Sequence, residues 1–428
     1  MISERIRNNA VRIASLLIGV AFVFSGFVKA IDPLGTAYKI EDYFEAFQWP
    51  LFSGLSLFFS ILLSAFEFYL GASLLLRLSK RTTILFLVLF MAVVTPFTLY
   101  LAIRNPVSDC GCFGDAIVLT NWGTFIKNLI LLTLVVLVYL NQLSNKPYFG
   151  TNSSIWAGLW VFAFPVLMAL YAVMYLPLID FRPYKAGNYL PDLMQVDAES
   201  GADQMILEFI YEKDGKQQSF SVDNAPVSDS TWTFVERKET LISKAQKVEI
   251  HDFELIHSMK GDITFEVLQD TSYTFLMIAP KLEQMNYAGV KDFLAIKSYA
   301  LKHRYAFYLL TSSNTPIIED WKFEFDPGMQ ALSVDETTLK TMIRSNPGLL
   351  LLKAGRVIGK WGFRNLPDVS DSIDRPWQET VYNQPRISVF KRLFLSFVLF
   401  VLPLLLLWLL HHGYRFTFKK KLHTIQPK

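Results

Sequence analysis

The stretch RIASLLIGVAFVFSGFVKAIDP, residues 12–33, decides what kind of protein this is. It stays apolar over about 20 residues, the length that crosses a hydrocarbon core. That is long for the apolar centre of a signal peptide, and no small-residue cleavage site follows, so the expectation is an uncleaved anchor. Five more stretches qualify, at roughly 53–76, 83–103, 123–140, 155–178 and 393–410. The composition agrees. The chain of 428 residues carries 36 Phe and 18 Tyr, and its mean hydropathy is positive. A net charge of +3 gives no argument for nucleic acid. No zinc-type cysteine set, P-loop or Gly-rich dinucleotide fingerprint is present.

Basic residues set the expected orientation. Arg5, Arg7 and Arg12 precede the first span, and Arg77, Lys80 and Arg81 join the second to the third. Lys146 joins the fourth to the fifth, and Arg415, Lys419, Lys420 and Lys421 follow the sixth. All four groups share one side if the spans alternate, and the positive-inside rule makes that side the cytoplasm. Lys391 and Arg392 lie on the other side, where a long translocated domain obeys the rule poorly. The expectation is a multi-pass protein of a bacterial inner membrane, in contact with the lipid bilayer, with both termini cytoplasmic. Residues 32–52, the loop 104–122 and the region from about 179 to 390 then face the periplasm, where disulfides persist.

The large region changes texture at Asp180. MILEFIYEKDGKQQSFSV alternates apolar and polar residues around Lys213, Asp214 and Gly215, the pattern of a hairpin. YTFLMIA, then KLEQMNYAGVKDFLAIKSYALKH, then YAFYLLTSS read as strand, helix and strand. DETTLKTMIRS reads as a second helix, and NPGLLLLKAGRVIGKW as a hairpin turning at Ala354-Gly355.

This layout, over residues 250–365, resembles the thioredoxin-like fold. HDFELIHSMKGDITFEVL is similar to the opening strands of its periplasmic members, and Asn346-Pro347 stands where that family keeps a cis-proline. The family's C-x-x-C belongs just after YTFLMI, where this chain reads Ala279, Pro280, Lys281 and Leu282. Without a thiol the domain cannot itself exchange disulfides. The resemblance therefore implies a redox-dead scaffold or binding module.

The only two cysteines, Cys110 and Cys112, sit in VSDCGCFGDAI, residues 107–117. Gly111 between them permits the tight turn that bridging would need. A bridge across so short a ring would be strained, and strained, exposed disulfides are the oxidising, labile ones. Two other readings stand beside this one. The cysteines could simply fix the loop, or they could form a soft-metal site of the Cu(I) type, to which Asp109 and Asp115 could add oxygens. Two thiolates are too few for a closed zinc site.

Three motifs in order carry a second resemblance: the first span quoted above, EFYLGASLLL in the second, and DCGCFGD after the third. Over about residues 10–145 the chain resembles the DoxX/MauE family of small four-helix membrane proteins. That family includes a member needed to mature a disulfide-rich amine dehydrogenase, and a subunit linked to thiosulfate oxidation with quinone as acceptor. The resemblance implies that Cys110 and Cys112 are the family's C-x-C, and it makes a quinone the candidate cofactor. No second thiol pair is present to relay electrons, a departure from autonomous disulfide-forming enzymes.

Two ionisable residues stand out inside spans. Glu67 lies about 15 Å along a helix from Arg77, near mid-bilayer. Lys29 lies about 25 Å from Arg12. Helical side chains lean toward their own N-terminus, so on antiparallel spans these two lean toward each other. A proton or quinone site and a structural bundle pair are both consistent with this, as is Lys29 snorkelling to the surface. Trp49 and Trp122 read as an aromatic belt, YKIEDYFEAF as an amphipathic cap on the outer surface, and His411 and His412 as interface residues.

The expected architecture is thus a membrane α-helical bundle, a four-helix DoxX/MauE-like core plus two further transmembrane helices, with a periplasmic α/β thioredoxin-like domain. The expected division is 1–145, 146–179, a β-rich segment 180–249, 250–387 and 388–428. The leading functional expectation is periplasmic thiol–disulfide chemistry on a thiol-containing client protein, with Cys110 and Cys112 exchanging and Glu67 and Lys29 as cofactor-side residues. The alternative is a non-catalytic anchoring or assembly protein whose soluble domain is a docking module.

Overall fold

The computed structural model describes residues 2–78, 80–107, 109–141, 148–194, 204–213, 216–221, 232–243, 250, 252–383 and 388–425. Lys146 and the hairpin tip Asp214-Gly215 lie outside these residues. Among the described residues, six helices are long and apolar enough to cross a membrane. In chain order the first elements are α1 (Ile2–Ile31), the short α2 (Pro33–Ala46), α3 (Ser56–Leu76), α4 (Lys80–Arg104), α5 (Asn121–Leu140) and α6 (Thr151–Met174). The last spanning helix is α12 (Val389–Ile425). The fifth span stops short of the expected residue 178. Pro177 ends it, because the residue before a proline is pushed out of the helical region.

Small residues decide how α1 and α3 meet. A Cβ added at Gly26 would lie 2.4 Å from the Phe68 nitrogen, and one at Gly71 would lie 2.6 Å from the Val23 nitrogen. Both obstacles are backbone, so only glycine permits this approach. In lipid, where apolar burial does not drive helices together, such close backbone packing is a main source of cohesion. At the end of α1 the chain turns into α2 through the single residue Asp32, whose Oδ1 accepts the Gly35 N–H at 3.0 Å as an N-cap, with Pro33 at the first helical position.

Between α6 and α12 lies the soluble region. It opens with α7 (Leu190–Met194) and a three-stranded antiparallel sheet, β1 (Gln204–Lys213), β2 (Lys216–Ser221) and β3 (Thr233–Ser243), in the order β2-β1-β3. The expected hairpin is β1–β2. A mixed sheet of seven strands follows: β4 (Ile256–His257), β5 (Gly261–Asp262), β6 (Tyr273–Ile278), β7 (Ala306–Thr311), β8 (Ala331–Ser333), β9 (Gly348–Lys353) and β10 (Arg356–Gly362). Its order is β10-β9-β6-β7-β8-β4-β5. The strands β6, β7 and β8 run parallel, while β9 is antiparallel to β6 and to β10. The Asn346-Pro347 bond leading into β9 is cis.

Every residue of β6 is buried, because helices cover both faces of the sheet. Phe275 and Met277 join a cluster with α9 (Val290–Lys302) and α10 (Thr315–Phe325), while Leu276 and Ile278 join one with α8 (Thr264–Gln269) and α11 (Glu336–Met342). This is the two-residue alternation of a strand. Thr274 is buried too, and its hydroxyl donates to Asp270 at 3.1 Å, as a buried hydroxyl must. The helix expected from Lys281 begins only at Val290. Leu282 and Met285 are drawn into the core around a short 3₁₀ turn, Leu282–Gln284, and the Asn286 side chain caps a second one, Tyr287–Gly289.

The soluble region rests on the end of the bundle that carries the cysteine loop. Lys360 Nζ and Arg182 Nε reach Asp180 at 2.6 and 2.8 Å, and Arg182 Nη1 donates to the Thr341 carbonyl at 3.0 Å. Burial pushes the Asp180 carboxyl up, but the two cations outweigh it and hold it down at about 2. Arg392, at the start of α12, donates to the Leu178 carbonyl at 2.9 Å, and Trp160 Nε1 of α6 donates to the Phe400 carbonyl of α12 at 3.0 Å. The two helices that flank the soluble region are therefore joined beneath it.

Candidate functional site

The loop between α4 and α5 is built by polar residues at its base. Asn105 leaves α4 with a positive φ of 48°. Asn121 Nδ2 then donates to Asn105 Oδ1 at 2.7 Å and to the Val107 carbonyl at 2.8 Å, which closes the neck. At the tip Asp109 Oδ1 accepts the Gly111 N–H at 2.9 Å, and Gly111 has φ +64°, the left-handed conformation that glycine takes at little cost. These local constraints fold Cys-Gly-Cys back on itself. The two sulfurs lie 3.0 Å apart as a thiol–thiol contact.

The bundle grips the backbone of both cysteines. Lys29 Nζ donates to Ser25 Oγ and Glu67 Oε2, both at 2.7 Å, and to the Cys112 carbonyl. The ammonium thus uses all its donors. Ser25 Oγ also donates to the Cys112 carbonyl, at 2.8 Å. From α2, Tyr43 Oη donates to the Cys110 carbonyl at 2.9 Å, and Lys39 Nζ meets Asp109 Oδ2 at 2.9 Å. Lys29 and Glu67 are 3% and 7% exposed. At that depth an unpaired charge would cost several kcal/mol, on the order of 3 or more, so the pair has a physical reason to form.

The cysteines differ in what they face. Cys112 lines a cavity of about 40 Å³ inside the bundle, together with Glu67, Lys127, Asn128, Phe90 and Met91. One water needs about 10–15 Å³ on this measure, so the space has room for water. Lys127 Nζ also sits 4.3 Å above the ring of Phe113, the next residue after Cys112. The Cys110 thiol hydrogen-bonds to Cys112, and that bond, with Lys127 and Lys29 behind it, pulls the Cys112 thiol down to about 6 against the pull of burial. The same bond and burial push Cys110 up. The geometry therefore favours charge on the inward sulfur, Cys112, when the pair gives up a proton.

All four residues singled out in the sequence come together here. Lys29 lies against Glu67, as the helix directions imply, and its ammonium is spent on fixing the loop. It is not turned to solvent, and it has no donor left for a ligand. Asp109 and Asp115 are engaged by Lys39 and by Arg344. Ser25, Tyr43 and Arg344 were not visible from the sequence, since nothing in one chain links a serine or a tyrosine to a loop so far away. Lys127 had a signal, being an ionisable residue inside an apolar stretch.

The segment that follows β6, residues 279–282, is held by hydrogen bonds. Ser313 Oγ accepts the Leu282 N–H at 2.9 Å and donates to Glu283 at 2.7 Å, and Asn346 Nδ2 donates to the Lys281 carbonyl at 2.9 Å.

Fold and site together define a multi-pass membrane protein with a thiol pair held at one end of a helical bundle. Residues 7–141, which run from α1 through α5 and include the cysteine loop, match the family profile described as methylamine utilisation protein MauE, and this supports a MauE/DoxX-like membrane family for that part of the chain. Residues 206–244, the three-stranded sheet, match a domain of unknown function, DUF8463. No curated protein and no solved structure matches the chain.

Proposed function

We propose that the bundle takes part in thiol–disulfide exchange on a periplasmic client protein, with Cys110 and Cys112 as the exchanging pair and a quinone as the electron acceptor. The observation that carries this reading is the asymmetry of the pair. Two sulfurs 3.0 Å apart need only a small approach to bond, and the inner one is the better leaving group. In the oxidised form a client thiolate attacks Cys110 Sγ, and the Cys112 thiolate leaves. A second client thiolate then displaces Cys110. The client gains a disulfide, and Cys110 and Cys112 become two thiols. A quinone would supply the two-electron, two-proton acceptor needed to restore the bond. Glu67, on the cavity shared with Cys112, is the proton acceptor in this reading. Lys29 is a positioning residue.

The soluble region is read as a thioredoxin-like module without thiols. The central order β10-β9-β6-β7, with β6 and β7 parallel and β9 antiparallel, supports this reading. Its role is to hold or orient the client. The family's name concerns methylamine utilisation, and a client in amine oxidation is the corresponding proposal. The test is to trap the intermediate. Cys112→Ser should leave Cys110 in a mixed disulfide with its client, while thiols that stay reduced in aerobic membranes and form no mixed disulfide would return the molecule to an anchoring role.

A further inference from the structure

One side chain of the soluble region crosses into the bundle and ends on the cysteine loop. Arg344 follows α11 and is 5% exposed. Its Nε lies 3.1 and 3.0 Å from the two oxygens of Asp32, and its Nη2 lies 2.9 Å from Asp115 Oδ2. Its Nη1 donates to the Lys340 carbonyl, so the side chain is anchored on its own helix as well. The ring of Tyr38 from α2 sits 5.2 Å from the Arg344 guanidinium and 4.7 Å from Lys340 Nζ. Gly35 makes room for the crossing: a Cβ there would lie 2.7 Å from Arg344 Nη2 and 2.6 Å from Asp32 Oδ2.

We infer that Arg344 is a positioning residue for the thiol pair, through which the soluble region sets how exposed Cys110 and Cys112 are. The segment from Cys112 to Asp115 is held at both ends by a cation, Lys29 of the bundle on the Cys112 carbonyl and Arg344 of the soluble region on Asp115. The first hold is internal to the membrane. The second depends on where the soluble region sits. Asp32, the other partner of Arg344, also caps α2, and α2 supplies Tyr43 to the Cys110 carbonyl. Releasing Arg344 therefore frees the outer end of the loop and loosens the helix that holds its other cysteine. The cations that act most on the Cys112 thiol are Lys127 and Lys29, so the loss of Arg344 acts chiefly through exposure. Arg344 and Asp32 are largely buried at this junction while Asp115 stays partly exposed, and removal of a buried member is felt strongly.

This inference deepens the redox reading, but its test does not need that reading to hold. Full-length protein in membranes is reduced, and the rate at which a membrane-impermeant maleimide modifies Cys110 and Cys112 is measured. Arg344→Gln should raise the rate by about fivefold or more, the low end of coupling between sites. Asp115→Asn should do the same. The double variant should be no faster than Arg344→Gln alone, because Asp115→Asn removes a contact that Arg344→Gln has already lost. Arg344→Lys, which keeps the charge, should stay closer to wild type than Arg344→Gln. Unchanged rates in Arg344→Gln would overturn the inference, and so would rates that multiply in the double variant or a lysine variant as fast as the glutamine one. If Arg344→Gln fails to accumulate, Asp115→Asn alone decides, and an unchanged rate there is fatal. The redox reading fails separately, when no mixed disulfide is trapped, and the alkylation rates stay interpretable in that case.

Discussion

Lys29 Nζ lies 2.7 Å from Glu67 Oε2 inside the bundle, and the same ammonium holds the Cys112 carbonyl. Membrane charge neutralisation and loop architecture are thus one contact. Truncating Lys29 to alanine leaves Glu67 buried without a partner, and about 3–5 kcal/mol of stability should be lost. Lys29→Met combined with Glu67→Leu should be milder than Lys29→Ala, since no orphaned charge remains. Thermal unfolding of the detergent-solubilised variants would decide, and a double variant no better than the single would refute it. Glu67→Gln, which keeps the shape, separates packing from proton transfer. Normal abundance with slow reoxidation of the cysteines marks a proton role, and normal reoxidation removes Glu67 from the chemistry.

The glycine seam between α1 and α3 should be equally unforgiving. Gly26→Ala and Gly71→Ala place a Cβ against backbone at 2.4 and 2.6 Å, so the helices must part, at about 1–3 kcal/mol each. Gly54→Ala is the control, because nothing lies within 4 Å of its added Cβ. Equal stability of all three variants would mean that the seam carries no weight.

Acidity of the pair gives a pH test. The reactive form is the thiolate, so alkylation of Cys112 in the reduced protein should rise with pH, pass its midpoint below that of an ordinary thiol and level off. Cys110→Ala removes the hydrogen bond that does most to lower Cys112, and the midpoint should move upward. Cys110 itself should stay slow through neutral pH, since burial and its partner raise it. A single midpoint near that of an ordinary thiol, about 8.5, in both proteins would contradict the asymmetry.

Orientation is open to labelling. In a background without native cysteines, Met259→Cys and Phe323→Cys on the soluble region should react in intact cells with a reagent that cannot cross the membrane, and both positions are almost fully exposed. Asn9→Cys, before the first span, should not. Labelling of position 9 from outside would reverse the proposed topology.

Much of this site could be read from the chain because it rests on rules that act residue by residue. Apolar runs long enough to span lipid gave six helices, and an intramembrane carboxylate and amine on antiparallel helices gave Lys29 with Glu67. The Cys-Gly-Cys turn follows from local backbone preference. What stayed hidden depends on tertiary distance. Arg344 lies among ordinary polar residues near a helix end, and only the folded chain brings it to Asp32 and Asp115. Helix starts also escaped where core burial outvoted propensity, as at Leu282 and Met285. Tyr43 looked like one aromatic in an amphipathic cap, although its hydroxyl is what touches Cys110.

The soluble region leaves the membrane at α6 and returns at α12, and those helices are joined through Arg392 to Leu178 and through Trp160 to Phe400. A domain leashed at both ends cannot diffuse away when one contact opens. Arg344 is thus presented to Asp115 at a high effective concentration, in the millimolar range typical of short tethers. A partner arriving from solution would have to compete with an intramolecular rival that never leaves, and the contact re-forms once that partner goes.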